Sequence, residues 1–361
     1  MKEKIISVTI SIIIIIFLIL FIFSNKLEFS ENENRYLEKF PNFNFEDLID
    51  NKYLKNIDSY LQDHFVFRDE FIKIRTNYLM LLNYKEVNNV FINNKMLIEK
   101  YIEPKKTEKL INKLNFIEEN VNKKIDLMLV PTSISIYKEL LPNYYINNQI
   151  ETMNYIYDNV NMNKISVYNT LIEHKDEKML YYSMDHHWNI YGAYYAYLEY
   201  CKYKEMDCFK LEDFNIEEVE DTFKGTIYSK VLYETEQLDK IYKVTKDDVI
   251  VKYPDSVKNT LYEEKYLNLK DKYSYYLNNN NSIIEIETNN INNKSILIVK
   301  DSYANCFIPF LTSNYKKIVI IDPRYYKLSI LDYIKSNNFD DILFLYNMNT
   351  IDNDGGIYTI D

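Results

Sequence analysis

The stretch Ser295-Ile-Leu-Ile-Val-Lys300-Asp301-Ser302-Tyr-Ala-Asn305 decides how the chain folds. Ser295 to Lys300 is apolar without polar alternation, the pattern of a strand covered on both faces. It stops at Asp301-Ser302 and passes into a helical pattern from Tyr303 to Leu311. The alternation continues with strand Ile318 to Ile321, helix Tyr326 to Lys335 and strand Ile342 to Leu345. Upstream, Thr107 to Val121 is amphipathic and Ile125 to Val130 is a short apolar strand ending at Pro131-Thr132. A helical stretch near Thr152 to Val160 precedes strand Ile165 to Tyr168, and an aromatic helix runs from about Tyr191 to Tyr203. Such β and α alternation predicts an α/β fold, a parallel sheet with helices on both faces. In these sheets the site lies beyond the carboxyl ends of the strands, which selects Pro131-Thr132, Asp301-Ser302 and Tyr346-Asn347. Residues from about 205 to 293 are polar, Asn-rich and weakly periodic, and read as an insertion of loops and a few strands. Val90 to Ile98 reads as a hairpin, because Asn93-Asn94 tolerates the positive φ of a tight turn.

Composition narrows the function. The chain has 361 residues, 54 acidic and 43 basic, for a net charge of -11. That balance excludes a general nucleic-acid binder, which needs a basic surface. The 4 glycines, Gly192, Gly225, Gly355 and Gly356, cannot build a dinucleotide fingerprint or a phosphate-binding loop. The 3 cysteines form no CxxC cluster; Cys201 and Cys208 are either bridged or free thiols.

Ile5 to Phe23 is uncharged and dominated by Ile, Leu and Phe. At 1.5 Å per residue it spans about 28 Å, close to the hydrocarbon thickness of a bilayer. It ends Phe-Ile-Phe-Ser-Asn-Lys without a small-residue cleavage pattern, which favours an uncleaved signal anchor over a cleaved signal peptide. Lys2 and Lys4 precede the span, while Lys26 is followed by Glu28, Glu31 and Glu33, which places the N-terminus in the cytoplasm and the rest outside. The expected organisation is a cytoplasmic tip (1–4), a transmembrane anchor (5–23), a juxtamembrane linker with two helices (24–85) and one large α/β domain (86–361).

Two constellations can carry chemistry. Met184-Asp185-His186-His187-Trp188-Asn189 holds the single Trp and half of the His. In an extended segment Asp185 and His187 point to one side and His186 to the other. Asp185 can then orient His187, and His187 can serve as base for Ser302 if the fold joins the loops. A serine at a strand end that opens a helix also sits beside unpaired N–H groups able to hold an oxyanion. The plainer readings are that Asp301-Ser302 is a helix N-cap, and that His174, Asp185 and His187 bind a metal. Neighbouring histidines on opposite sides make poor joint ligands, so the reading takes no metal and no cofactor. The DHH letters also occur in DHH phosphoesterases, whose Gly-rich motif this chain cannot supply.

These residues resemble the DHHW protein family, itself similar to the alginate O-acetylation proteins. The matching pieces are Glu33-Asn34-Arg35 with Phe40-Pro41, Asp63-His-Phe-Val-Phe-Arg68-Asp69, Val90-Phe-Ile and Pro131-Thr132 with Tyr137. They continue with Asp185-His186-His187-Trp188, Lys300-Asp301-Ser302-Tyr303 and Asp322-Pro323-Arg324-Tyr325-Tyr326. The resemblance implies a three-layer SGNH-hydrolase-like (flavodoxin-like) sheet, circularly permuted, behind an N-terminal transmembrane helix. It implies Asp185, His187 and Ser302 as acid, base and nucleophile, and Arg324 at the cleft. The implied activity is O-acetyl transfer to an exported or cell-wall polysaccharide, alongside a membrane-bound O-acyltransferase partner. SGNH enzymes place a Gly and an Asn in the oxyanion hole, yet no Gly here falls near a predicted strand end. The oxyanion and substrate candidates are therefore the Ser302 N–H, Asn305, Thr132, Tyr303 and Asn347. A carbohydrate esterase with the same triad and a non-catalytic surface glycan-binding protein remain as alternatives.

Overall fold

The computed structural model describes residues 2–30, 32–33, 35–351 and 355–361; Met1, Glu31 and Asn34, used in the readings above, lie outside the described residues. The chain divides into two compact units, Met1–Asn88 with Ser229–Tyr233, and Asn89–Tyr228 with Glu234–Asp361.

The first unit begins with the helix Lys2–Phe23, of which Lys4–Phe23 is long and apolar enough to cross a membrane. Helices Lys52–Asp63 and Arg68–Leu81 follow. Two of the matching sequence pieces meet here. The Arg35 guanidinium donates to Asp63 at 2.8 and 2.5 Å, and Arg68 pairs with Glu33 at 2.6 Å. Hydrogen bonding from Arg35 holds the Asp63 carboxyl below its usual range.

The second unit is built on one eight-stranded sheet. Its strands, numbered in chain order, are β1 (Asp126–Val130), β2 (Asn163–Ser166), β3 (Val249–Lys252) and β4 (Val257–Lys258). They continue as β5 (Ile283–Thr288), β6 (Ser295–Lys300), β7 (Lys317–Ile321) and β8 (Asp341–Asn347). The spatial order is β4-β3-β5-β7-β6-β8-β1-β2. The block β7-β6-β8-β1-β2 is parallel, as expected. The other edge departs from the expectation, because β5, β3 and β4 each run antiparallel to the preceding neighbour. Those three strands come from residues 205–293, so this segment completes the sheet as well as supplying loops. The polar alternation of β5 follows from one half-exposed face, although β3 and β7 pair with it on both sides.

Both faces of the parallel block are buried, which is why β6 shows no alternation. Ile296 and Ile298 pack with the helix Ile190–Tyr203 and the short helix Ile308–Leu311. Leu297 and Val299 pack with the helices Thr107–Glu119, Gln149–Asn159 and Ile330–Ser336. After β6 the chain enters the first of these cores, whereas after β8 it enters the second through Ile357. Adjacent strands thus send their connections to opposite faces, the geometry that opens a crevice at their carboxyl ends. Ser302 and Asn347 stand at that switch.

Element ends moved for identifiable reasons. The expected helix from Tyr326 begins only at Ile330, where the Ser329 hydroxyl accepts the Asp332 N–H at 3.0 Å. The helix expected from Tyr303 is a 3-10 turn, Ser302–Cys306, followed by Ile308–Leu311. The Val90–Ile98 hairpin forms, with Val90–Ile92 pairing antiparallel with Leu97–Glu99. Asn93 and Asn94 at its turn do not take positive φ; that conformation falls just before the hairpin, at Asn88 and Asn89.

Candidate active site

Strand β6 delivers Asp301 and Ser302 to the crevice. Asp301 is fully buried and caps the 3-10 turn by accepting the Tyr303 N–H at 2.9 Å. Its other oxygen accepts from the Asn347 backbone and side-chain amides at 2.7 and 2.8 Å and from the Thr350 hydroxyl at 2.6 Å. Burial raises the Asp301 carboxyl despite these donors. The cap reading therefore belongs to Asp301, which ties β6 to β8 and leaves the Ser302 hydroxyl to other partners.

That partner is His187. Its Nε2 lies 2.8 Å from Ser302 Oγ, and its Nδ1 lies 2.6 Å from Asp185 Oδ1. The same Asp185 oxygen accepts the His187 backbone N–H at 3.0 Å. Burial alone would raise the Asp185 carboxyl, but the neighbouring His186 and His187 hold it well below the usual carboxylate range. Burial, then the adjacent His186, pushes the His187 imidazole down to about 4 against the pull of Asp185.

A hairpin positions Asp185 and His187. Tyr181 and Trp188 form a bridge, and Asn189 N–H donates to the Leu180 carbonyl at 2.9 Å. The Trp188 indole donates to the Tyr303 carbonyl at 2.8 Å, fastening the hairpin to the turn that carries Ser302. At the hairpin tip the chain bends, and this corrects the expected direction of His186. Its ring does not point away; it lies 3.8 Å from the His187 ring, with Nδ1 2.6 Å from the Thr226 hydroxyl.

Several residues of the site gave no signal in the sequence. Thr226 donates to Asp185 Oδ2 through its backbone N–H at 2.8 Å and its hydroxyl at 3.0 Å. Gly225 lets this turn approach, since a Cβ there would lie 2.1 Å from Asp185 Oδ2. Tyr273 stacks on His187 with ring centroids 3.6 Å apart, and its hydroxyl donates to the Ser302 carbonyl at 3.1 Å. Asp239 accepts the Ser183 and Met184 N–H groups at 2.7 and 2.8 Å, and burial raises its carboxyl to about 7. Each comes from residues 205–293, so only tertiary structure relates it to the hairpin.

The remaining expected residues divide. Asn305 follows Ser302 by one 3-10 turn, its Oδ1 accepting from Lys300 Nζ at 2.7 Å. Arg324 donates to Asp322 at 2.9 and 2.6 Å and lines a 580 Å³ cleft with Pro323, Lys327, Asn349 and Thr350. Thr132 is turned elsewhere: its N–H donates to Gln149 Oε1 at 2.8 Å, and its hydroxyl accepts from Gln149 Nε2 at 2.9 Å. Tyr303 and Asn347, expected to face substrate, are buried instead. The Tyr303 hydroxyl donates to the His186 carbonyl, while Asn347 braces Asp301. Among the described residues, Asp185, His186 and His187 bring three ligand-type atoms within 4.8 Å of one another. The expectation that the two histidines diverge is thus overturned, although Asp185 Oδ1 and both His187 nitrogens already have partners. His174 lies apart from them, paired with Glu177 at 2.8 Å and stacked on Tyr195.

The sequence model of the DHHW protein family matches residues 102–321, more than half of the chain and the whole Asp185–Ser302 interval. The chain belongs to the DHHW protein family. A solved DHHW family protein from Eubacterium siraeum is 25% identical with a TM-score of 0.67, covering 76% of this chain and 96% of its own. PatB1 of Bacillus cereus, solved with a sulfonyl adduct, shares the fold at 20% identity and a TM-score of 0.60, covering 76% of this chain and 98% of its own. No curated protein matches the chain. The four residues that name the family are the hairpin tip itself, Asp185-His186-His187-Trp188.

Proposed function

We propose that this DHHW protein is a membrane-anchored, extracytoplasmic O-acyltransferase that moves acetyl groups onto an exported or cell-wall polysaccharide. In this reading the sheet is an SGNH-like, circularly permuted one and Lys4–Phe23 is the anchor. The observation that carries it is the unbroken hydrogen-bond line from Asp185 through His187 to Ser302 at a strand carboxyl end. Such a line is what nucleophilic acyl transfer requires, since a serine hydroxyl needs a base and the base needs an orienting carboxylate.

Ser302 Oγ attacks the acyl carbonyl carbon while His187 Nε2 takes its proton. The bond to the leaving oxygen breaks, and His187 returns the proton to that oxygen. A sugar hydroxyl then attacks the acyl-serine, giving its proton to His187, and Ser302 leaves with that proton restored. Asp185 stays ionised and holds the imidazole with Nδ1–H toward itself. In this reading the Ser302 N–H and the Asn305 amide hold the developing oxyanion. A 490 Å³ cavity against the flanks of the hairpin is lined by Tyr181, Tyr191, Tyr242 and Lys178, but not by Asp185, His187 or Ser302.

The deciding experiment gives the full-length chain in detergent p-nitrophenyl acetate together with chitopentaose or cellopentaose. Ser302-dependent acetylation of the oligosaccharide is the expected result. Acetate release alone indicates an esterase, and the absence of both with the protein folded favours glycan binding without turnover.

The pH profile adds a test. His187 acts as base only when neutral, and its lowered value keeps it neutral down to about 4. Turnover should therefore hold from neutrality to about pH 5 and fall as pH drops through about 4. An acid limb near 6.5, the ordinary imidazole value, would contradict this arrangement.

A further inference from the structure

Lys300 is the last residue of β6, and its side chain is fully buried. A buried ammonium is costly unless its surroundings use its charge or its protons. Asp322 supplies part of this, since Lys300 Nζ stands 3.7 Å from its buried carboxylate, but Asp322 also receives two Arg324 donors at 2.9 and 2.6 Å. Asn280 Oδ1 is at 3.4 Å. The closest contact is Asn305 Oδ1, at 2.7 Å.

An ammonium has three donors and no acceptor, so this contact fixes which end of the Asn305 amide faces Lys300. The carbonyl oxygen turns to Lys300 and the N–H2 end turns away from it. In a 3-10 helix the side chains of residues three apart eclipse, so Asn305 lies one turn from Ser302 on the same side.

We propose that Lys300 is a positioning residue for acyl transfer, acting through Asn305 by locking its amide with the N–H2 end available to the oxyanion. This rests on the serine acyl-transfer reading. Lys300 orients a donor and touches no reacting atom. A neutral amine can accept as well as donate, so loss of its proton releases the lock. Burial lowers the ammonium to about 8, with Asp322 and Asp301 opposing the fall and Arg324 adding to it. Lys300 also acts on His187, helping to lower its imidazole.

The test is a double-mutant cycle on the full-length chain with p-nitrophenyl acetate, using Lys300→Met, Asn305→Ala and both together, with Ser302→Ala as control. Asn305→Ala should lower kcat by about 10²–10³ with little change in KM, the usual loss for one oxyanion donor. Lys300→Met should lower kcat by about 10-fold or more, and should cost nothing further in the Asn305→Ala background. Wild type should also lose activity as pH rises through about 8, a limb absent from Asn305→Ala. Additive losses, or the same alkaline limb in Asn305→Ala, would overturn the role of Lys300 while leaving the acyl-enzyme in place. Turnover indifferent to Ser302→Ala would remove both readings. If Lys300→Met does not fold, the comparison of wild-type and Asn305→Ala pH profiles decides the question alone.

Discussion

Replacing Ser302 by alanine is expected to lower turnover of p-nitrophenyl acetate by on the order of 10⁶-fold, leaving only what binding and oxyanion donors supply. The change removes one oxygen. Among the described residues the hydroxyl makes one hydrogen bond, with His187 Nε2 at 2.8 Å. The cap that shapes the turn belongs to Asp301, so the 3-10 helix should survive the substitution. Stability should change by little more than one hydrogen bond, about 1 kcal/mol. Loss of activity with an intact fold is therefore the signature of a nucleophile. His187→Ala should lose a similar amount, and the two together no more than either alone, because the residues act as one unit.

The second large effect is expected at Gly225, a residue that touches no part of the acyl group. A methyl there would stand 2.1 Å from Asp185 Oδ2 and 2.4 Å from Asp185 Cβ, far inside van der Waals contact. Asp185 cannot retreat without losing the two Thr226 donors and the 2.6 Å contact to His187. Gly225→Ala should therefore displace the carboxylate and lower kcat by up to about 10⁴, as when the orienting acid of a triad is lost. Asp185→Asn should lose a comparable amount, and combining them should cost little more. A Gly225→Ala protein that folds and turns over normally would show that the carboxylate does not position His187.

How much of this was legible depended on the range of the interactions. Strand β6 is legible to the residue because burial on both faces leaves an unbroken apolar run, a signal local to Ser295–Lys300. The same logic found β1 and β8 within two residues. Asp185, His187 and Ser302 were legible because their residue types are rare together at strand and helix boundaries in a chain of only four histidines. The direction of His186 is not legible because alternation holds only in extended backbone, and the hairpin tip is bent. Gly225, Thr226, Tyr273 and Asp239 were invisible because nothing within their own segment requires a carboxylate or an imidazole nearby. Residues 205–293 looked like an insertion for a related reason. Their strands are short, partly exposed and joined to the parallel block only through the pairing of β5 with β7. Tyr303 and Asn347 were placed at the right strand ends, but position does not reveal that buried partners already use their polar atoms.

The most direct test of the proposed acyl-enzyme is intact-mass analysis of the full-length protein quenched during turnover of p-nitrophenyl acetate, with the adduct located by peptide mapping. A single acetyl group on Ser302, absent from Ser302→Ala, is the result expected. An acetyl group at another residue, or an undiminished adduct in a folded Ser302→Ala protein, would contradict it.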